Sequence, residues 1–289
     1  GQITSSGVEL SISGTPVKTE RFSWDVNFNI ARNITTVDEL AEGVDNLLLE
    51  QTLSQRWGGT SLFARVGEQW GQVVGRKIKR AENGLPVLNP NGSYVLEQNV
   101  PLGTVLPDFT GGIMNTFRYK NWELSAFIDF QVGGKFFSTT KMFNAYSGLS
   151  EETVGNNDKG VPVRDPVADG GGVHVVGVGE DGATIDTYVD AQTYYSRLFG
   201  LTERWLYDAS YVKLRELRLA YTLPQGLISK TPFNNVSIGF IARNVWLIHT
   251  NVDGLDPSEI SGGAGGYNLA EGGQLPGVRS LGFNIRLGL

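Results

Sequence analysis

Two histidines, His174 and His249, are the only imidazoles in this 289-residue chain, and there is no cysteine. Neither histidine has a His or Cys partner at metal-ligand spacing, so no zinc site and no Cys–His pair is written into the sequence. No serine stands in a G-x-S-x-G setting, so the hydrolase elbow is missing. Gly262-Gly263-Ala264-Gly265-Gly266 resembles a phosphate-cradling loop but lacks the Lys and the strand-to-helix context, and a flexible loop is the better reading. Asp256 with Glu259, and Glu180-Asp181, offer oxygen ligands of the kind Ca²⁺ takes. Their spacing is not that of an EF-hand, and solvated loop carboxylates account for them. The expectation is a chain with no catalytic residue, no resident metal and no cofactor, and not an enzyme.

The residue pattern describes walls rather than a catalytic centre. In Val278 to Leu289, the side chains Leu281, Phe283, Ile285, Leu287 and Leu289 fall on one face, with Ser280, Gly282, Asn284, Arg286 and Gly288 on the other. Phe22 to Ala31 sets Phe22, Trp24, Val26, Phe28 and Ile30 against Ser23, Asp25, Asn27, Asn29 and Ala31. Trp122 to Val132 repeats the alternation, and Gly7 to Gly14 does so with Val8, Leu10 and Ile12. Phe109 to Tyr119, Asp208 to Leu223 and Val236 to Thr250 are less regular strands. A period of two with one apolar face predicts β-strands. Several reach about ten residues, against a usual length of about 5–6 in globular sheets, and about ten tilted residues cross a bilayer. The polar-face residues Glu9, Asp25, Asn27, Asp129 and Gln131 are then candidates to line a lumen. Trp24, Tyr119, Trp122, Trp205, Tyr207, Tyr221 and Trp246 are candidates for interfacial belts.

Connections are asymmetric. Tyr119-Lys120-Asn121-Trp122 is a tight turn, and Gly14–Arg21 and Pro224–Asn235 are short. Gly133 to Tyr207 spans about 75 residues and Asn251 to Gly277 about 27. Following the strands from the C-terminus places every long connection on one side and every short one on the other, as in outer-membrane barrels. Seven strands is an odd number, whereas a closed antiparallel barrel needs an even one. A further hairpin between Ser61 and Gln98 would leave the count odd. The expectation is therefore a barrel completed by strands from outside this sequence.

Composition agrees. No run approaches the roughly 20 apolar residues of a transmembrane helix, yet glycine (38) and aromatics (14 Phe, 10 Tyr, 6 Trp) are plentiful, as strands, wide loops and aromatic girdles require. A net charge of −6 argues against nucleic-acid binding. The chain opens Gly-Gln-Ile-Thr, without methionine or signal peptide, which is expected of an interior segment of a longer protein.

The stretch Trp205–Pro224 resembles the C-terminal region of SusC/RagA-like TonB-dependent outer-membrane transporters of Bacteroidetes-type bacteria. The resemblance is carried by Asp208, Ser210, Tyr211, Lys213, Leu214, Arg215, Leu219, Tyr221, Leu223 and Pro224. It continues through Arg243-Asn244, then Gly254-Leu255-Asp256-Pro257 with Ser258 before Glu259, then Pro276, Arg279 and Ser280. Upstream, Gly7–Leu10, Phe22–Trp24 and Pro107–Gly112 are also similar to the family, so the likeness covers essentially the whole chain. One departure is Leu289, where the family usually ends in Phe.

The resemblance implies an all-β fold, residues 1–289 being the C-terminal part of one transmembrane β-barrel of about 22 strands, with the plug domain and N-terminal strands elsewhere. It implies active import of large nutrients, glycans or oligopeptides, across the bacterial outer membrane, energised through TonB. Expected partners are a SusD-like surface lipoprotein lid, TonB through the part not in this sequence, the remaining strands and plug, and the lipid bilayer, but no nucleic acid. Gly133–Tyr207 and Asn251–Gly277 are the candidate contacts for lid and substrate. The residue pattern by itself leaves two alternatives open: a passive porin or structural barrel, and a soluble glycan-binding β-sandwich.

Overall fold

The computed structural model describes residues 1–50, 59–260 and 269–289. In chain order its strands are β1 (Gln2–Lys18), β2 (Phe22–Glu39), β3 (Asn46–Glu50), β4 (Ser61–Arg65), β5 (Gln72–Ile78), β6 (Leu96–Thr104), β7 (Pro107–Tyr119), β8 (Trp122–Gly133), β9 (Lys135–Ser138), β10 (Val173–Val178), β11 (Thr184–Val189), β12 (Leu206–Asp208), β13 (Tyr211–Thr222), β14 (Asn235–Thr250), β15 (Ala270–Glu271) and β16 (Ser280–Gly288). Seven of them form one antiparallel sheet in the order β1-β2-β7-β8-β13-β14-β16. The sheet is open: β1 and β16 are its edges, and among the described residues they do not meet.

Register turns the strand patterns into two continuous faces. The row Ile12, Phe28, Ile113, Ile128, Leu214 and Trp246 runs straight across the sheet. Val17, Trp24, Phe117, Leu124, Leu219, Phe240 and Phe283 form another. Both belong to a face whose large apolar side chains are exposed, Phe283 at 79% and Phe240 at 50%. Among the described residues no second sheet covers this face, so the sandwich arrangement is absent. Asn115, a polar residue on it, accepts a hydrogen bond from the Trp24 indole at 3.1 Å. Near the turn at Lys120, Phe22, Tyr119, Trp122 and Tyr221 line up as an aromatic row.

All short connections leave one end of the sheet and all long ones the other. Lys120 turns the tight β7–β8 hairpin with a positive φ of 52°. Asn121 then bonds its amide to the Thr222 carbonyl at 2.7 Å, holding the turn to β13. At the opposite end the chain leaves β8 through Gly133 and Gly134, both left-handed (φ 77° and 82°), a conformation that costs any residue with a Cβ.

The Ser61–Gln98 segment adds nothing to the wall; β3–β6 form a separate four-stranded sheet. The long Gly133–Tyr207 connection is not structureless. It carries β9, the β10–β11 hairpin and the helices Thr139–Tyr146, Ala191–Arg197 and Thr202–Trp205. These pack around Phe137, Met142, Tyr195, Leu201 and Trp205. Trp205 is therefore no belt residue: it is 1% exposed and donates its indole N–H to the Leu198 carbonyl at 2.7 Å. Tyr207 likewise packs on Phe136. An apolar cluster is self-sufficient in water, whereas a belt needs lipid beside it, and the period of two does not distinguish them. This layer is joined to the four-stranded sheet where Thr202 lies over Gly75, so close that a Cβ there would fall 2.2 Å from the Thr202 hydroxyl.

Candidate functional site

The face opposite the apolar band carries the charged and polar side chains of the seven strands, with Met114, Phe127 and Ile241 among them. Glu9, Asp25, Asn27, Asp129 and Gln131 all lie on it: Glu9 and Gln131 in the row Glu9–Ala31–Thr110–Gln131–Tyr211, Asp129 in Ser11–Asn29–Gly112–Asp129–Lys213, Asn27 in Ser13–Asn27–Met114–Phe127–Glu216 and Asp25 in Asp25–Thr116–Ser125–Arg218. Most are held rather than loose. Asp25 accepts from Thr15 at 2.6 Å and pairs with Arg118. Asn27 donates to Ser13, and Gln131 reaches the carbonyls of Gly133 and Ala209. Glu9 is exposed and lines a shallow hollow with Ser11, Asn29, Thr110, Gly112 and Phe127. The sequence reading missed the charges that cross-link this face. Arg118 and Arg218 both grip Glu123, at 3.0 and 2.8 Å, and Arg243 pairs with Glu216 at 3.0 Å. Strand parity alone would have placed Arg118 and Glu123 together, since they are direct cross-strand partners.

Where the wall meets the long connections, the motif residues converge. A bulge in β13 between Leu214 and Glu216 breaks register with both neighbours. It lets Arg215 share the polar face with Glu216, while Leu214 stays on the apolar side. The Lys213 ammonium, 3% exposed as a residue, sits 2.6 Å from Asp256, 2.7 Å from Glu259 and 3.2 Å from the Ser258 hydroxyl. Arg215 bridges Glu259 at 3.1 Å and Asp129 at 2.9 Å, and Tyr211 donates to Asp129 at 3.0 Å. The turn Asp256-Pro257-Ser258-Glu259 is thus latched to the wall by two cations. Burial acts to raise the Asp256 carboxyl, but the bonds from Lys213 and Ser258 outweigh it and hold it below its ordinary range. The Lys213 ammonium thus stands between the carboxylates of Asp256 and Glu259.

A second junction is built on Asp208. It accepts from the Ser210 backbone at 2.9 Å and the Ser210 hydroxyl, from Asn251 at 3.1 Å and from Lys135 at 3.2 Å. Burial opposes its ionisation, yet these donors bring its carboxyl down to about 2. Ser210 in turn accepts from Gly133 N–H at 2.8 Å, so β8 and β13 leave the wall together. Beyond them, Asn244 turns with φ 51° and bonds the Val278 carbonyl. Pro276 and Arg279 line a cavity of about 320 Å³ with Trp246 and Leu275. Tyr221 stands in the aromatic row against Trp122, ring centroids 4.6 Å apart. Pro224 ends β13 and opens the short helix Gln225–Ile228.

In the layer above lies a larger open cavity of about 810 Å³, lined by Tyr146, Thr153, Arg164, Asp190, Gln192 and Tyr195 among others. No spacing in the sequence joins these residues. His174 is on β10, facing Asp158 and Asp186, and His249 ends β14 beside Asn251. The glycine cluster Gly262–Gly266 lies outside the described residues. Among the described residues no group of three His, Cys, Asp or Glu side chains is placed to hold a metal ion.

No protein-family model matches the chain. It is 25% identical over 277 residues to TonB-dependent receptor P3 of Formosa agariphila, covering 89% of this chain and 25% of that protein. It is 27% identical over 179 residues to TonB-dependent receptor SusC of Bacteroides thetaiotaomicron, covering 53% of this chain and 17% of that protein. The fold matches the RagAB peptide importer in its open-open state with a TM-score of 0.64 at 19% identity, over 99% of this chain and 29% of that one. The chain is SusC/RagA-like. It spans about a quarter of the length of the curated relatives first matched, at 25% and 29%. The residues on which the sequence resemblance rests come together here as the latch of Lys213 and Arg215 and the Asp208 junction.

Proposed function

We propose that residues 1–289 form the C-terminal part of a single transmembrane β-barrel in the bacterial outer membrane, and that the whole protein imports large nutrients, glycans or oligopeptides, with energy delivered through TonB. The observation that carries this reading is the two-faced wall: an apolar band exposed across seven strands, a charged and polar face behind it, and every long connection at one end. An uncovered apolar face of that extent is unstable in water and stable against lipid. The polar face, with Glu9, Asp25, Asn27, Asp129 and Gln131, is the lumen wall. The long connections face the exterior, where they meet substrate and a SusD-like lipoprotein lid. TonB is engaged through the part of the protein outside this sequence, which also supplies the plug and the remaining strands. The reading calls for no covalent chemistry and no cofactor.

These 289 residues contain no cysteine, so with any cysteine elsewhere in the protein replaced, single cysteines report position directly. Leu149→Cys at the long-connection end is expected to react with a membrane-impermeant maleimide on intact cells, and Lys120→Cys only after lysis. Uptake of a fluorescent oligosaccharide or oligopeptide pool is expected to stop when TonB is inactivated. Uptake that persists without TonB would replace this reading with a passive porin. Equal labelling of both sites on intact cells would overturn the orientation.

A further inference from the structure

Two wall strands end their apolar run in the same way. On β2 the side chains Phe22, Trp24, Val26, Phe28 and Ile30 lie on the apolar face, and the next position on that face is Arg32. On β16, read back from the C-terminal residue, Leu289, Leu287, Ile285, Phe283 and Leu281 do so, and the next position in the alternation is Arg279. Each arginine stands ten residues from the far end of its run, at the end from which the long connections leave. Ten residues at about 3.3 Å each, tilted by about 40°, rise about 25 Å, the height of the outward apolar band of a membrane barrel. In a barrel both cations then lie at the depth of the outer headgroups. Neither is in an ion pair among the described residues: Arg32 lies over the Phe109 ring, 5.4 Å from its centroid. The stretches 51–58 and 261–268 contain no Asp or Glu.

The surroundings of Arg279 are held in place. β14 runs on to Thr250, but its pairing with β16 stops at Arg243 and Ser280, which leaves a notch in the wall beside Trp246. The segment 274–279 is the lip of this notch. Gln274 donates to the Glu259 carbonyl at 2.5 Å, and Asn244 donates to the Val278 carbonyl at 3.2 Å. Gly277 lies so close to Glu259 that a Cβ there would fall 2.8 Å from the carboxyl carbon. Fixed in this way, Leu275, Pro276 and Arg279 line the 320 Å³ cavity with Trp246. Leu275 is 91% exposed and Trp246 58%. Asp256 and Glu259 do not occupy the Arg279 guanidinium, because Lys213 and Arg215 already neutralise them. An indole and an apolar rim beside one unneutralised guanidinium match an amphiphile with an anionic head, since guanidinium grips phosphate with two parallel bonds and indole settles at the membrane interface.

We propose that Arg279 holds the phosphate of an outer-leaflet lipid in this notch, with the acyl chains descending over Leu281 and Phe283, and that Arg32 makes the equivalent contact on β2. Such a site presupposes the membrane barrel proposed for the chain. The probe is bisphosphorylated lipid A, added to the full-length protein in neutral detergent and counted as bound lipid by native mass spectrometry. Wild type is expected to bind it more tightly than the dephosphorylated form. Arg279→Gln is expected to lower the affinity about fivefold, the contribution of one cation at a charged membrane surface, and Arg279→Lys to keep most of it. Arg32→Gln is expected to act independently and by a similar factor, so that the double variant falls about 25-fold. Arg286→Gln, on the polar face of the same strand, is expected to bind as wild type does. Equal affinity of wild type and the Arg279→Gln protein would overturn the site, as would equal binding of the dephosphorylated lipid. Heat-shifted gel mobility after insertion into phosphatidylcholine vesicles separates the two readings. A protein that folds there without any dependence of lipid binding on Arg279 loses the lipid site alone, and one that does not fold there loses the barrel as well.

Discussion

Lys213 shows how much a single buried charge holds in place. Its ammonium is almost completely enclosed and satisfied by Asp256, Glu259 and Ser258. Removing one partner of a buried ion pair leaves uncompensated charge behind and costs about 3–5 kcal/mol. Lys213→Met is therefore expected to lower the thermal midpoint of the detergent-solubilised protein and to expose the 251–279 connection to protease. Adding Asp256→Asn to the same chain is expected to recover part of the loss, because the two side chains are in contact and do not act independently. Full additivity of the two substitutions would show that the latch is not a coupled unit.

Strands carry their argument in their faces. Phe283 and Asn284 are neighbours on β16, yet Phe283 joins the apolar row with Phe240 and Asn284 faces Gly239 on the polar side. A charge placed on a lipid-facing strand position costs about 2–4 kcal/mol near the bilayer centre. Phe283→Arg is expected to reduce insertion into lipid vesicles sharply, and Asn284→Arg to be tolerated, as read by the heat-shifted gel mobility of folded barrels. Equal effects would remove the distinction between the faces. The β13 bulge belongs to the same scale. It costs one ladder position and brings Arg215 and Glu216 onto one face, so a single strand binds both the 256–259 turn and Arg243.

The whole molecule is a wall segment with two open edges. β1 presents 17 residues and β16 a further 9, each with one side of its backbone unpaired by the sheet. Unpaired edges of that length recruit other strands. Residues 1–289 expressed alone are accordingly expected to aggregate or to need detergent, and not to run as a heat-resistant barrel. A detergent-free monomer with native strand content would return the soluble module to consideration. The two ends of the wall differ in kind as well. Tight turns held by Asn121 and Arg118 close one end, while a layered superstructure with its own apolar core stands on the other.

Alternation by itself determined the seven wall strands, their faces and the end from which each connection leaves, because a period of two fixes side-chain direction in any sheet. It read strand extents less well: β2 continues from Ala31 to Glu39, and β1 begins at Gln2 rather than Gly7. The motif around Lys213 and Asp256 was legible as a motif, but its salt bridges join residues 43 and 46 positions apart and become visible only when the chain returns to the wall. The fate of Trp205, the separate sheet β3–β6, the cavity at Arg164 and the two carboxylates flanking His174 were decided by tertiary structure alone. Trp205 and the cavity rest on packing between segments far apart in sequence, while the β3–β6 sheet and the carboxylates at His174 rest on side-chain and strand partners that no period of two specifies.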